Sequence, residues 1–523
     1  MRPEHFLTLT VAASFFGMLA GGCGNKEGVG SASGTASATG ATTLTWTANT
    51  EPDLAGYKVY IGTASGTFGS LAGMTNPIGA AVLSPISTGK GTTFQVMNLP
   101  VGQTYYFSVT AVDTSNNESG FSNEASRLVG VSDSGIPVRQ TATYYVAQTG
   151  SDNNSCSDAM SEATPKLTIN AGITCLGAGD TLIVKDGTYD ESFEDPFSNT
   201  GSSWTDVIVV KAASPRRVII KPASGDNVIS FRSAEQKYIE LNGIVIDAIN
   251  IETDGVNIEA NANHIRLYDC VILNAGDQGV SIFKEGDASP DFNEFINVEV
   301  ANTAWNRACF GKGDPTPENG YCHGFYVSSD NNLLDGVNLH HNNGYGLQFY
   351  PQGNRGNTIR NSVSHDNLGV GIGSLGDGNR VINNVVYRND GGGLLIDETN
   401  NLVYNNTVYD NDNFNGFDGL TIEGTGHSVK NNLFFINNVF GMALDATNLV
   451  GTDPQFEDAA NDNFRLKAGS VAIDTGTTLP EVTRAIDGIP RPQGAAPDIG
   501  AYEFTTATGD IIPPAPPRNL RAL

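Results

Sequence analysis

Between residues 255 and 445 the chain repeats one short pattern. A glycine is followed by a strand-length run in which apolar and polar positions mostly alternate. The copies are Gly255-Val-Asn-Ile-Glu, Gly279-Val-Ser-Ile-Phe, Gly324-Phe-Tyr-Val-Ser, Gly346-Leu-Gln-Phe-Tyr, Gly371-Ile-Gly-Ser-Leu, Gly393-Leu-Leu-Ile-Asp, Gly419-Leu-Thr-Ile-Glu and Gly441-Met-Ala-Leu-Asp. Their glycine-to-glycine steps are 24, 45, 22, 25, 22, 26 and 22 residues. Alternation at period two is strand spacing, and no helical period competes with it. Self-similarity at this interval predicts a solenoid of stacked strands. The step of 45 is one coil plus an insertion, or two coils.

Stacking brings equivalent residues of successive coils to about 4.8 Å from one another. Three outward rows are therefore expected. The residue before each glycine contributes Asp254, Gln278, His323, Tyr345, Val370, Gly392, Asp418 and Phe440. Two places after the glycine come Asn257, Ser281, Tyr326, Gln348, Gly373, Leu395, Thr421 and Ala443. Two further on come Glu259, Phe283, Ser328, Tyr350, Leu375, Asp397, Glu423 and Asp445. Asparagines recur between strands (Asn361, Asn383-Asn384, Asn405-Asn406, Asn431-Asn432) and are expected to bond one another from coil to coil.

The pattern changes on both sides of this region. Arg2, an apolar run from Phe6 to Ala20 and Ala20-Gly21-Gly22-Cys23 read as an export signal over residues 1–23. The run is too short for a membrane span. A Gly/Ser/Thr tether covers 24–41, alternating strands of a sandwich cover 42–129, and a linker covers 130–142. The solenoid is expected over 143–448. It opens with a short helix-like stretch, Pro165 to Leu176, that would hide its apolar end. A cap segment follows over 449–504, in which Asp474, Arg491 and Asp498 are expected to pair. A Pro-rich tail over 505–523 is expected to be disordered.

Charge narrows the partners. The 29 Lys+Arg against 56 Asp+Glu give a net −27, which excludes a nucleic-acid partner and suits solubility outside the cell. In an exported chain the local pairs Cys156/Cys175 and Cys309/Cys322 are expected to be disulfides, and Cys270 a buried thiol.

Particular residues carry resemblances. Leu44-Thr-Trp46, Gly56-Tyr57-Lys-Val-Tyr60 and Tyr105-Tyr-Phe-Ser-Val-Thr-Ala-Val112 resemble a fibronectin type III domain, with Trp46 as core tryptophan and Tyr105 as corner tyrosine. Ala20-Gly21-Gly22-Cys23 resembles a bacterial lipoprotein cleavage site, which implies lipidation of Cys23 and an exported cell-surface or secreted protein whose membrane contact is the lipid alone. From Tyr144 to Phe504 the chain resembles the right-handed parallel β-helix superfamily of pectate lyases, chondroitinase B-like lyases, polygalacturonases and mannuronan epimerases. The resemblance implies an all-β chain, a right-handed parallel β-helix solenoid preceded by an immunoglobulin-like fibronectin type III sandwich, with polysaccharide as partner. No catalytic set of these families carries over. His323-Gly-Phe-Tyr-Val-Ser-Ser lacks the lyase lysine, and the epimerase Asp-Pro-His-Glu and polygalacturonase Asn-Thr-Asp strings are missing.

Candidate chemistry gathers in the third and fourth copies. Elimination across a uronic acid needs a base, an acid at the leaving oxygen and a cation against the carboxylate. Tyr326 or His323 would serve as base or acid. Lys284, with Arg307 and Lys312 from the insertion, would supply the cation. Tyr345, Gln348 and Tyr350 would bind sugar. Hydrolysis by paired carboxyl groups would fall to Asp397, Asp418 and Glu423, which equally suit a solvated stripe or Ca²⁺. No cofactor is required, and the metal question is open. The rival reading is a non-catalytic carbohydrate-binding or adhesion protein. His341, His365 and His427 are expected to be turn or loop residues, and a His340/His341 metal pair is discounted because adjacent strand side chains diverge.

Overall fold

The structure, a computed structural model, describes residues 39–522 except 50, 52, 69–83, 101–102, 130–140, 205, 306–308, 310–320, 351–352, 412–418, 506–513 and 515. Cys23, Arg307, Lys312 and Asp418 lie outside the described residues.

From Thr143 to Val450 the chain winds into three parallel sheets of ten, eleven and eleven strands. Each coil contributes a strand to each sheet, in the order of a glycine-led first sheet, then a second, then a third. The strand Val280–Phe283 pairs directly with Phe325–Val327, so the step of 45 is one coil carrying an insertion. Corners between second and third sheets turn on one residue in the left-handed region: Gly243, Asp269, Asn297, Gly336, Asn361, Asn383, Asn405 and Asn431. Asparagine and glycine tolerate that region better than other residues, which accounts for the asparagine run at these corners.

The residue after the later corners points inward and builds a ladder. Asn384, Asn406, Asn432 and Asn448 bond one another at 3.0, 2.9 and 3.0 Å. A second ladder links Asn342, Asn367, Asn389, Asn411 and Asn437 at 2.9, 2.8, 2.9 and 3.2 Å. These amides satisfy backbone groups that would be orphaned inside the coil. Between the sheets runs one apolar core, including Val256, Ile282, Phe325, Phe349, Ile372 and Leu394.

The helix Ile169–Ile173 closes the front end, with Thr168 capping it and Ile169 and Ile173 buried. Cys156–Cys175 and Cys309–Cys322 are disulfides, and Cys270 is a buried free thiol. At the rear the last first-sheet strand is Val439–Phe440, not the run after Gly441, so Phe440 rather than Ala443 stands in register with Thr421. Phe456, Phe464 and Ile499 pack with Val385, Tyr387 and Leu433 on the outer side of the third sheet. Arg491 takes Glu503 as its carboxylate partner at 2.9 Å, while Asp498 accepts the Asp474 amide at 2.8 Å. The expected Asp474–Arg491–Asp498 trio is thus bonded together, Arg491 Nη1 donating to the Asp498 carbonyl at 2.9 Å, with Glu503 added as the arginine's carboxylate.

Residues 39–129 form small antiparallel sheets around Leu44, Trp46, Tyr57, Val59 and Phe107. The tail is not wholly irregular. Arg518–Ala522 is a strand that pairs antiparallel with Thr39–Thr47. Among the described residues no helix is long and apolar enough to cross a membrane.

Candidate functional site

The first sheet sets the site. Phe325, Val327, Leu347 and Phe349 are fully buried, so strand alternation turns Tyr326 and Gln348 to the outer face. Pairing places Ser281, Tyr326, Gln348 and Gly373 in one row across four coils. Tyr350 and Phe283, from the next row, stand beside Tyr326. Its ring lies 6.5 Å from Phe283 and 6.3 Å from Tyr350. Phe283 and Tyr350 are 41% and 43% exposed, so with Tyr326 they form a cluster of rings on the outer face.

Tyr345 lies beneath. A Cβ on Gly369 or Gly373 would meet its ring at 2.7 or 2.9 Å, so both glycines are needed to seat it. Burial pushes the hydroxyl pKa of Tyr345 up. Burial, then the Tyr350 hydroxyl, does the same for Tyr326. Tyr326 therefore keeps its proton at neutral pH, which suits an acid or hydrogen-bond donor rather than a base.

His323 requires a correction. It is 4% exposed, as buried as Asp254 and Gln278 in the same row. These three make a chain of hooks: Asp254 accepts the Gln278 amide at 2.9 Å, Gln278 accepts the His323 amide at 2.8 Å, and His323 Nδ1 accepts the Tyr345 amide at 2.8 Å. The residue before the glycine sits at a corner, where strand alternation does not apply. That Nδ1 lone pair is taken, so it is not the base the sequence suggested.

Beside Tyr326 opens a pocket of about 470 Å³, lined by Phe283, Lys284, Gly286, Tyr326, Ser328, Gly353 and Asn354. Lys284 is exposed at its rim, and its amide donates to Ser328 Oγ at 2.6 Å. Asp397 and Glu423 lie on adjacent coils farther along the face. Asp397 accepts the Glu398 amide at 2.6 Å, and Glu423 is exposed. His427 Nδ1 accepts the Asn401 amide at 3.3 Å, as a loop brace does. Among the described residues, the group with three metal-ligand atoms close together is Asp277, Cys309 and Cys322, and the disulfide occupies both sulfurs.

The histidines of the third sheet also differ from expectation. His341 adopts φ 55°, which swings its ring back so that the Nδ1 atoms of His340 and His341 lie 2.9 Å apart. His340 stacks on His365 at 5.0 Å, and His365 on Tyr387 at 4.9 Å. The turn that hid this cluster from strand reasoning is visible in sequence only as His-Asn-Asn-Gly.

Residues 323–479 match the family profile described as right handed beta helix region. No curated protein matches the chain. Among solved structures, pectate lyase Pel9A is 19% identical, with 70% of this chain and 97% of that one covered and a TM-score of 0.50. A rhamnogalacturonan lyase is 17% identical, covering 63% and 95% with a TM-score of 0.45. An alginate lyase from Paenibacillus is 18% identical, covering 54% and 96% with a TM-score of 0.37. With the sheet register, the first likeness defines the class: the solenoid is a right-handed parallel β-helix.

Proposed function

We propose that this protein engages an extended polysaccharide along the outer face of the first sheet, with sugars stacking on Phe283, Tyr326 and Tyr350. The observation that carries the reading is that cluster of rings, two of them exposed, beside an open pocket. Rings offer flat apolar faces that pyranose C–H faces cover, while Gln348, in the same outward row as Tyr326, would serve hydroxyl groups. Pel9A, of the same architecture, is a pectate lyase, which is consistent with a polymer along this face.

A lyase reading has one observation in its favour: Tyr326, holding its proton, shares the pocket with Lys284. In that elimination the C5 proton would pass to solvent water in the open pocket as the C4–C5 double bond forms, Tyr326 would protonate the leaving oxygen as its bond to C4 breaks, and Lys284, with Arg307 and Lys312, would neutralise the uronate carboxylate. Asp397, Asp418 and Glu423 would extend the binding face. The rival is a non-catalytic binding or adhesion protein on the same face. Affinity electrophoresis against polyuronates and neutral glycans, together with ultraviolet detection of unsaturated ends, separates the readings. Phe283→Ala and Tyr350→Ala should each weaken retention about tenfold, a loss of about 1.4 kcal/mol. Unchanged retention would discard the platform. Unsaturated products lost in Tyr326→Phe would support the lyase, and binding without products the rival.

We read residues 42–129 as a fibronectin type III module, supported by the burial of Trp46 and Tyr105. Two disulfides fit an exported protein. In this reading Cys23 carries the lipid, and Cys23→Ser should move the protein from the membrane fraction to the medium.

A further inference from the structure

The front sandwich draws strands from both ends of the chain. One of its sheets runs Thr93–Pro100, Thr39–Thr47, Arg518–Ala522, antiparallel throughout. The last strand brings Leu520 into the core beside Leu44, Trp46 and Phe107, where it is 2% exposed. Asn123, which precedes the edge strand of the other sheet, holds the tail backbone from the side. Its Nδ2 donates to the Leu520 carbonyl and its Oδ1 accepts the Leu520 amide, each at 3.0 Å and across 397 positions of sequence. Pro516 approaches Gly120, so the tail enters along the same flank.

Upstream sequence offers no substitute. Residues 29–41 are Gly, Ser, Ala, Thr and one Val, with no side chain large enough to fill the place of Leu520. Without the tail, Thr39–Thr47 would be an open edge over a core with a leucine-sized gap. An unpaired edge of that kind recruits extended chain. The four prolines at 513, 514, 516 and 517 stiffen the approach and lower the entropy lost on docking.

We propose that the side of Thr39–Thr47 away from Thr93–Pro100 is a strand-docking site, and that its occupant is the C-terminal segment of the same chain, acting as a detachable donor strand that completes the sandwich. Leu520 is the anchor, and Asn123 reads the backbone of whatever lies there. This inference does not depend on the polysaccharide reading.

The test uses the full chain and a truncation after residue 505. The truncated protein should bind a synthetic peptide of residues 511–523 with one-to-one stoichiometry by calorimetry. The same peptide with Leu520→Asp should bind at least tenfold more weakly. The solenoid, reported by its own melting transition, is the control for folding. A truncation could unfold the sandwich, so the full chain carrying Thr45→Cys and Arg521→Cys, opposed in the register, gives a second readout. Mild oxidation should link these two within one molecule. A truncated protein that melts unchanged and ignores the peptide would overturn the proposal. So would a double variant that stays reduced, or one that links only into dimers, which would assign the site to a second copy.

Discussion

At the scale of single residues, the candidate site rests on where side chains are excluded. Tyr345 occupies space left by Gly369 and Gly373. Gly373→Ala should force that ring upward, costing about 1–3 kcal/mol as overpacking does and disturbing the platform above it. Thermal melting and glycan retention would both register the change. His323 allows a sharper discrimination. His323→Ala leaves the Tyr345 amide without its acceptor and should cost about 1–3 kcal/mol. His323→Gln should restore the hook, since Gln278 performs it one coil earlier. Full stability and full activity in the glutamine variant would fit a structural histidine, whereas full stability with lost turnover would return it to the chemistry. Tyr326, Gln348 and Tyr350 were legible as neighbours because strand period and coil period suffice to place them. His323 was not legible as buried, because it belongs to a corner.

At the scale of elements, the stacked columns decide stability. In the third sheet His340, His365 and Tyr387 stand in register, with His341 folded against the first. Burial, and then the neighbouring His340, hold the pKa of His341 below its ordinary value. Burial does so for His365 against the opposing pull of Asp366. The folded state thus binds fewer protons than the unfolded chain near pH 6. Stability should be complete above about pH 6.5 and fall as pH drops below that unfolded value. Asp366, held down at about 2 by Arg388 and His365 despite burial, adds a further loss that begins only below about pH 4. Melting temperature followed from about pH 7.5 to about pH 5.5, the range of histidine titration, should decline in the native chain. It should decline less in His365→Phe, a ring that Phe435 already contributes two coils beyond Tyr387. A flat profile in the native chain would end this account. The asparagine ladders were visible as a repeated residue at turns. Their division into corner residues and inward amides depends on φ, which composition does not reveal.

At the scale of the molecule, the backbone ladder of each coil pairs with the coils before and after it, so stability is largely a sum of local interfaces closed at its ends. Removing residues 139–180, which carry the front helix and first strand, should expose core and unpaired strand edges and produce aggregation, detectable by light scattering. An insertion within a coil costs little by the same logic, and the chain carries one between Asn302 and Tyr321 without breaking the register. The solenoid was readable from glycine spacing because one supersecondary unit recurs. The return of the tail was not, because a single five-residue strand carries no period.

That return has a topological consequence. Leu44 faces Ala522 across one antiparallel pair, so Thr39 and Ala522, where the described residues begin and end, leave the same end of the same sheet. Over residues 39–522 the path is a loop lacking one joint. A circular permutant, with those ends fused by a short glycine linker and new termini opened within residues 310–320, should fold to the same solenoid.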